Sequence, residues 1–319
     1  MIVTVTMNTA LDRILTVPNF QRGKRHRASD KLTLAGGKGV IVARALKRLG
    51  VPVVATGFVG GRNGRRILEE LSEEAVLNDL VRIEDESRTS TAVIDPTSGE
   101  YTEIIEWGPL VHPEELDILR EKIDYLSRGA EMVVFAGSLP RGVDESFYAE
   151  MVRDLGRRGV STVLDTEGEP LRLAMRGEPD VVSPNELEAE ELVGHEFNDV
   201  DDRAHAVAEI TRLGAAEAVM TVPDGCYAHV LEDGALTPYR VRVEEQDVRS
   251  SIGSGDAFLA GYVASRYTGR SPVDCLRFGV ACGAESTQHF GAGLIDPARV
   301  EKLFAEVEAE RLDVGTAIG

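Results

Sequence analysis

The chain has 319 residues, 43% of them hydrophobic, which suits one large α/β domain or one domain with a small appendage. Its net charge of −19 and sequence pI of about 4.8 repel nucleic acid and anionic membranes, and so argue against both as partners. The three cysteines (Cys226, Cys275 and Cys282) are too few and too badly spaced for a disulfide framework or a zinc site, so a reducing cytosol and small buried side chains are expected.

Residues 2–7 alternate apolar and polar and predict a first strand. No basic leader precedes an apolar core there, and no apolar run reaches the length of a membrane span, so a cytoplasmic location is expected. Asn8-Thr9-Ala10-Leu11-Asp12 closes the strand and puts Asp12 at a strand end, where α/β proteins hold ligands; a plain turn explains the same residues. Residues 13–35 show no helical period and predict strands that leave the main body. Ala35-Gly36-Gly37-Lys38-Gly39 opens a helix that runs to Leu49, with Val40, Ala43, Leu46 and Leu49 on one face. Three glycines around a lysine at a helix start suit an anionic or hydroxylated ligand close to the backbone, although a loop that needs glycine dihedrals accounts for them too. Gly39 stands where a Walker A loop needs Ser or Thr, which excludes that motif.

A strand over 53–59 and a helix over 65–74 follow, joined through Gly60, Gly61 and Gly64. Residues 89–95 and 101–106 alternate about Pro96-Thr97-Ser98-Gly99, a hairpin signal. Paired with 13–35, this hairpin makes a small sheet that covers the site as a lid and presents Arg27 and Arg88 beneath it; surface solvation is the alternative for either arginine. From 113 onward, helices over 113–128, 145–158, 171–176 and 202–213 alternate with strands over 132–136, 161–165, 180–183 and 218–222. That alternation implies right-handed crossovers and a mostly parallel sheet with helices on both faces. Residues 227–231 and 237–243 predict an antiparallel pair, and helices over 257–267, 272–288 and 297–311 close the domain. The division that follows is an α/β core of 1–12, 37–87 and 111–319, with a β lid of 13–36 and 88–110.

Two stretches carry chemistry. Gly253-Ser254-Gly255-Asp256 lies directly before an apolar helical run. Its glycines and the unpaired N–H groups of a helix start make a nest for a developing anion, and Asp256 on the rim can take a proton from an attacking hydroxyl. A plain N-terminal cap explains the same residues. Asn185 and Glu188, three apart at a strand end and helix start, suit a hydrated Mg²⁺; they equally suit a capping box.

Taken in order, Gly36-Gly37-Lys38-Gly39, Gly137-Ser138-Leu139-Pro140, Asn185-x-x-Glu188 and Gly253-Ser254-Gly255-Asp256 resemble the ribokinase-like carbohydrate kinases, the PfkB family, across residues 2–305. Asn8-Thr9-Ala10-Leu11-Asp12-Arg13, the helix start from Gly37 to Arg44, and Ile94-Asp95-Pro96-Thr97-Ser98-Gly99-Glu100 leading to Trp107-Gly108-Pro109 are similar to the branch of 1-phosphofructokinase and tagatose-6-phosphate kinase. The resemblance implies a ribokinase-like fold and phosphoryl transfer from ATP to a hydroxyl of a hexose phosphate. Fructose 1-phosphate is the simplest acceptor, with tagatose 6-phosphate and fructose 6-phosphate as relatives. It implies Asp256 as the base, and the backbone of Gly253, Ser254, Gly255 and Asp256 as the anion hole. Asn185 and Glu188 would organise Mg²⁺ and its waters. Asp12, Gly37 and Lys38 would hold sugar hydroxyls with Ser138 nearby, and Lys38, Arg27 and Arg88 would bind the substrate's phosphate. Thr221, Gly225 and Gly255 fall to the nucleotide. ATP, Mg²⁺ and a monovalent cation such as K⁺ are the implied cofactors, and a homodimer through the lid is the implied assembly.

The sequence departs from that pattern in places. Ile41 stands where the branch carries Asn, which removes a hydrogen-bond partner for the sugar. Thr9 replaces a Pro, and Ser254 replaces the commoner Ala. Val222-Pro223-Asp224-Gly225 replaces a Leu-Gly-x-x-Gly turn beside the nucleotide, and Pro223 withdraws an N–H donor. Ile41 motivates an alternative, a kinase of an unphosphorylated sugar or sugar-like cyclitol. A non-catalytic sensor of sugar phosphate is the remaining alternative, and the presence of Asp256, Asn185 and Glu188 counts against it. No Gly-x-Gly-x-x-Gly follows the first strand, which disfavours an oxidoreductase.

Overall fold

The first strand, β1 (Ile2–Thr6), is buried along its whole length between two parallel neighbours. In the computed structural model, which describes residues 1–244, 246 and 248–312, it lies inside a ten-stranded sheet. The chain continues through β2 (Ala10–Thr16), β3 (Asp30–Gly36), α1 (Lys38–Arg48), β4 (Val53–Gly60), α2 (Gly61–Glu73) and β5 (Val81–Ile83). A hairpin of β6 (Arg88–Ile94) and β7 (Tyr101–Ile105) precedes α3 (Pro113–Ser127), β8 (Met132–Ala136), α4 (Phe147–Gly156) and β9 (Ser161–Asp165). Next come α5 (Gly168–Ala174), β10 (Val181–Val182), α6 (Glu186–Val193), α7 (Val200–Leu213) and β11 (Glu217–Val222). The last elements are β12 (Gly225–Glu232), β13 (Ala235–Arg242), α8 (Ser254–Tyr267), α9 (Pro272–Ser286), α10 (Pro297–Glu306) and β14 (Glu308–Arg311).

The large sheet has the order β14-β13-β12-β11-β10-β9-β8-β1-β4-β5. From β5 to β11 every pairing is parallel, and β12 to β14 form an antiparallel edge. Strands covered on both faces need apolar residues on both, and the core divides accordingly. One apolar cluster joins the sheet to α1, α2, α8 and α9; the other joins it to α3, α4 and α7. The carboxyl ends of the parallel strands open on one side of the sheet, the usual place for a ligand crevice.

The second sheet has the order β3-β2-β6-β7 and is mixed: β2 runs parallel to β6, while β2–β3 and β6–β7 are antiparallel. Ile14, Leu32, Ala92 and Ile94 on this sheet pack against Ile252 and Phe290 of the main body. Ile252 directly precedes the Gly-Ser-Gly-Asp turn, so the small sheet rests beside that turn.

The structure corrects several sequence expectations. Asp12 does not close the first strand: β1 ends at Thr6, and Asp12 is the third residue of β2, paired with Leu34 and Ser90. The helix expected over 297–311 stops at Glu306. Val307 is extended (φ −70°, ψ 125°), and Glu308 to Arg311 pair with β13 as an edge strand. Glu-Ala-Glu-Arg favours helix by propensity, and cross-strand pairing overrides it. The helix expected from residue 65 begins four residues earlier, at Gly61, and the three-residue β5 escaped the reading altogether. All three cysteines are buried and unpaired, as expected.

Candidate active site

The start of α8 carries the first part of the site. Gly253 has φ 77°, a left-handed conformation that favours glycine, and it turns the chain into the helix. A Cβ there would lie 2.6 Å from that of Ala292, so the turn is also packed against the loop around residue 292. Gly255 differs. Its φ is ordinary, and a Cβ would meet nothing within 4 Å. Neither dihedral strain nor protein packing requires glycine at 255, which leaves room for a group approaching the backbone. Among the described residues, no backbone carbonyl takes the N–H of Gly255 or Asp256, so both donors remain open at the positive end of the helix.

Asp256 is buried, and its carboxyl pKa stands well above the usual range. Burial is the main cause, and the Asp165 charge adds to it; Lys38 opposes, while Asp12 and Glu188 push in the same direction as Asp165. A carboxylate so placed is a good proton acceptor.

Asp165, Lys38 and Glu188 lie beside it. Asp165 ends β9 at the carboxyl edge of the sheet, and Lys38 is the first residue of α1. Lys38 Nζ is 2.6 Å from Asp165 Oδ1 and 3.5 Å from Glu188 Oε1. Burial alone would lower the lysine's pKa, but the Asp165 and Glu188 carboxylates, with Asp256 behind them, outweigh it and hold the ammonium above its ordinary value. Asn185 caps α6: its Oδ1 accepts from the Glu188 N–H at 2.9 Å, and Glu188 Oε2 accepts from the Asn185 N–H at 2.8 Å. The capping box is therefore formed, and it leaves Glu188 Oε1 turned towards Lys38. Burial, partly offset by Lys38, raises the Glu188 carboxyl pKa.

The small sheet supplies a second wall. Asp12, Arg88, Ser90 and Glu103 project on its inner face, by the two-residue alternation of paired strands. A Cβ on Gly36 would fall 1.9 Å from Asp12 Oδ2, so only glycine leaves the carboxylate its place. Burial first, then the Glu103 charge, lifts the Asp12 carboxyl from 3.8 to about 7, against the pull of Arg88 and Arg44. Arg88 is half-buried, and its Nε is buried with no hydrogen-bond partner among the described residues. Burial lowers its pKa, partly offset by Asp12, Glu103 and Glu167. Ser138, after β8, accepts from Asn8 Nδ2 at 3.2 Å, and Gly37 with φ 93° caps the start of α1.

The remaining expected residues lie on other elements. Arg27 is exposed in the loop between β2 and β3. Thr221, at the end of β11, donates its N–H to Pro184 O at 3.0 Å. Gly225 has φ 147°, and a Cβ would lie 2.0 Å from Val241 O, so strand pairing already explains that glycine. Ile41 is buried, and its carbonyl and Cγ2 lie where a Cβ on Gly293 would make close contact. The sequence reading missed Asp165 and Glu103. Asp165 carried one signal, an acidic residue at the carboxyl end of a predicted parallel strand.

Comparison with known proteins agrees with this geometry. The sequence profile described as pfkB family carbohydrate kinase matches residues 3–299. A 1-phosphofructokinase of Borreliella burgdorferi is 28% identical over 310 residues, covering 97% of this chain and 98% of that protein. A tagatose-6-phosphate kinase of Staphylococcus epidermidis is 27% identical over 312 residues, covering 97% and 99%. Among solved structures, a protein described as a possible 1-phosphofructokinase from Thermotoga maritima superimposes with a TM-score of 0.89 at 27% identity, covering 98% of this chain and 100% of that one.

Proposed function

We propose that this chain, which belongs to the pfkB family of carbohydrate kinases, transfers the terminal phosphoryl group of ATP to a hydroxyl of a hexose phosphate, most simply fructose 1-phosphate. The observation that carries the phosphorylated acceptor is Arg88. Its guanidinium faces the cleft from the small sheet, with a buried Nε that has no partner among the described residues. A half-buried cation with an unpaired buried Nε favours an anionic ligand, and a guanidinium suits two phosphate oxygens.

In this reading Asp256 accepts the hydroxyl proton as the oxygen attacks. The N–H groups of Gly255 and Asp256 take up charge on the moving phosphoryl group, with Gly253 and Ser254 shaping the turn. Asp12, Gly37 and Ser138 hold the sugar, and Arg88 its phosphate, with Arg27 and Lys38 as further cations for that charge. Thr221 and Gly225 face the nucleotide side. Asn185 and Glu188 suit a hydrated Mg²⁺, because the capping box fixes Glu188 through Oε2 and leaves Oε1 outside the cap, on the side of Lys38. Among the described residues no three His, Cys, Asp or Glu side chains converge on one metal position, so Glu188 would act through metal-bound water. When bound, Mg²⁺ supplies charge neutralisation at the phosphates. A monovalent cation such as K⁺ belongs to the same reading, and rates in K⁺ against Na⁺ check it.

The small sheet acts as the lid and as a dimer interface. Its edge strand β7 leaves Tyr101, Ile104 and Ile105 exposed, and Trp107 beyond it is 90% exposed. Light scattering should return a dimer mass for the wild type and a lower mass for Trp107→Ser. No helix among the described residues is long and apolar enough to cross a membrane, which is consistent with a cytoplasmic enzyme.

A coupled ADP-release assay on fructose 1-phosphate, tagatose 6-phosphate and fructose 6-phosphate tests the function. No turnover on any of the three rejects the acceptor class. The buried apolar Ile41 favours a second reading, an unphosphorylated sugar or cyclitol. Arg88→Ala separates the two, since only a phosphorylated acceptor loses affinity with it.

A further inference from the structure

The cleft holds a carboxylate that the reaction described above does not use. Glu103 of β7 lines a small cavity with Asp12, Ser90, Ile252 and Ala292. In register it pairs with Ala92, and Ser90 is its diagonal neighbour on the same face. Ser90 Oγ donates to Glu103 Oε1 at 2.9 Å. Ser90 in turn is paired across the sheet with Asp12. The Glu103 charge reaches both Asp12 and Arg88.

A carboxylate on the same sheet face as a half-buried guanidinium can close on it. Here Oε1 is held by Ser90, while Arg88 Nε stays without a partner among the described residues. The serine therefore turns the carboxylate along the sheet and keeps Arg88 available for an anion. Asp12 and Glu103 thus line one small cavity, and paired acceptors of that kind suit two neighbouring hydroxyl donors. Ala292, which lines the same cavity, leads into Gly293, which packs on the apolar Ile41.

We propose that Glu103 is a specificity-determining residue, accepting a hydroxyl of the acceptor sugar beside Asp12 while Ser90 keeps it from neutralising Arg88. The inference deepens the kinase reading and rests on it. The small sheet then supplies the acceptor with a polar contact that Ile41 does not.

The test measures KM and kcat for Glu103→Gln, Glu103→Ala and Ser90→Ala on the three hexose phosphates. Inhibition by inorganic phosphate serves as a separate probe of Arg88. Glu103→Ala is expected to raise KM for the preferred acceptor about 10- to 100-fold, the loss of a hydrogen bond to a charged group, and to compress the ratio of kcat/KM between acceptors. Phosphate should inhibit that variant as well as or better than the wild type, because a negative charge beside Arg88 has gone. Ser90→Ala should weaken phosphate inhibition, as the freed Glu103 closes on Arg88. Unchanged KM and unchanged acceptor ratios in both Glu103 variants overturn the proposal, as does a matching loss of phosphate inhibition in Glu103→Ala, which marks a merely structural role. Should the true acceptor be unphosphorylated, Arg88→Ala would leave its KM alone while Glu103→Ala still raised it, so the two readings fail in different variants.

Discussion

The ammonium of Lys38 lies 2.6 Å from Asp165 Oδ1, joining residues 127 positions apart at the centre of the site. Glu188 Oε1 lies 3.5 Å from the same ammonium, and the Asp256 charge acts on it as well. Burial is the main cause of the raised Asp256 and Glu188 carboxyl pKa values, and Lys38 offsets part of both shifts.

Removing that cation should therefore damage turnover more than acceptor affinity. Lys38→Met is expected to lower kcat at least ten-fold and to reduce stability by about 1–3 kcal/mol, between the values for exposed and buried ion pairs. Asp165→Asn should cost less, and the double variant should lose less than the sum of the two. Urea unfolding and steady-state kinetics on the four proteins check both parts. A Lys38 variant with raised KM and unchanged kcat would confine the lysine to its place at the substrate's phosphate and remove it from turnover.

Asp256→Asn should lower kcat about 10²- to 10⁴-fold, the usual loss on removing a general base. Stability should move the other way. A carboxyl whose folded pKa is raised is harder to ionise in the folded protein, so its charge weighs against folding at neutral pH. The amide removes that load, and Tm at pH 7 should rise. A calorimetric scan beside the rate assay reads both.

Gly255 gives a cleaner separation of folding from chemistry. Because its Cβ position is open and its φ ordinary, Gly255→Ala should fold normally, with helix propensity adding up to about 1 kcal/mol. The methyl would still stand where a phosphoryl group approaches the N–H donors. Circular dichroism should be unchanged and kcat reduced ten-fold or more. Full activity would remove the backbone nest from the account.

The pH profile should show Asp12. Its carboxyl titrates near 7, raised from 3.8, and only the ionised form accepts fully from a sugar hydroxyl. kcat/KM should therefore fall as pH drops below about 7, and Glu103→Gln should shift that limb to lower pH by removing a neighbouring charge. The sign for stability is opposite. Between 3.8 and about 7 the folded protein keeps a proton that the unfolded chain has released, so Asp12 lowers stability as pH rises through that window. Asp12→Asn should be the more heat-resistant protein at pH 8.

The parts of this site that the sequence made legible are those whose neighbours in space are neighbours in the chain. The Gly253-Ser254-Gly255-Asp256 turn and the Asn185–Glu188 capping box each close within four residues, and turn chemistry exposes them. Asp165 gave no such signal, because its meaning lies in a lysine on another element. Glu103 looked like the polar side of an alternating strand, and only the register of three strands brings it beside Ser90 and Asp12. The phosphate-binding role of Arg27 was legible only through the resemblance to a family, and the residue lies exposed in the loop between β2 and β3. β14 was read as helix because Glu, Ala and Arg favour it, and the free edge of β13 decided otherwise.

The most direct test of the central claim is the initial rate of ADP release by the wild-type protein with Mg-ATP, with and without fructose 1-phosphate. The rate should rise with the sugar phosphate to saturation. A rate that none of fructose 1-phosphate, tagatose 6-phosphate and fructose 6-phosphate increases would contradict it.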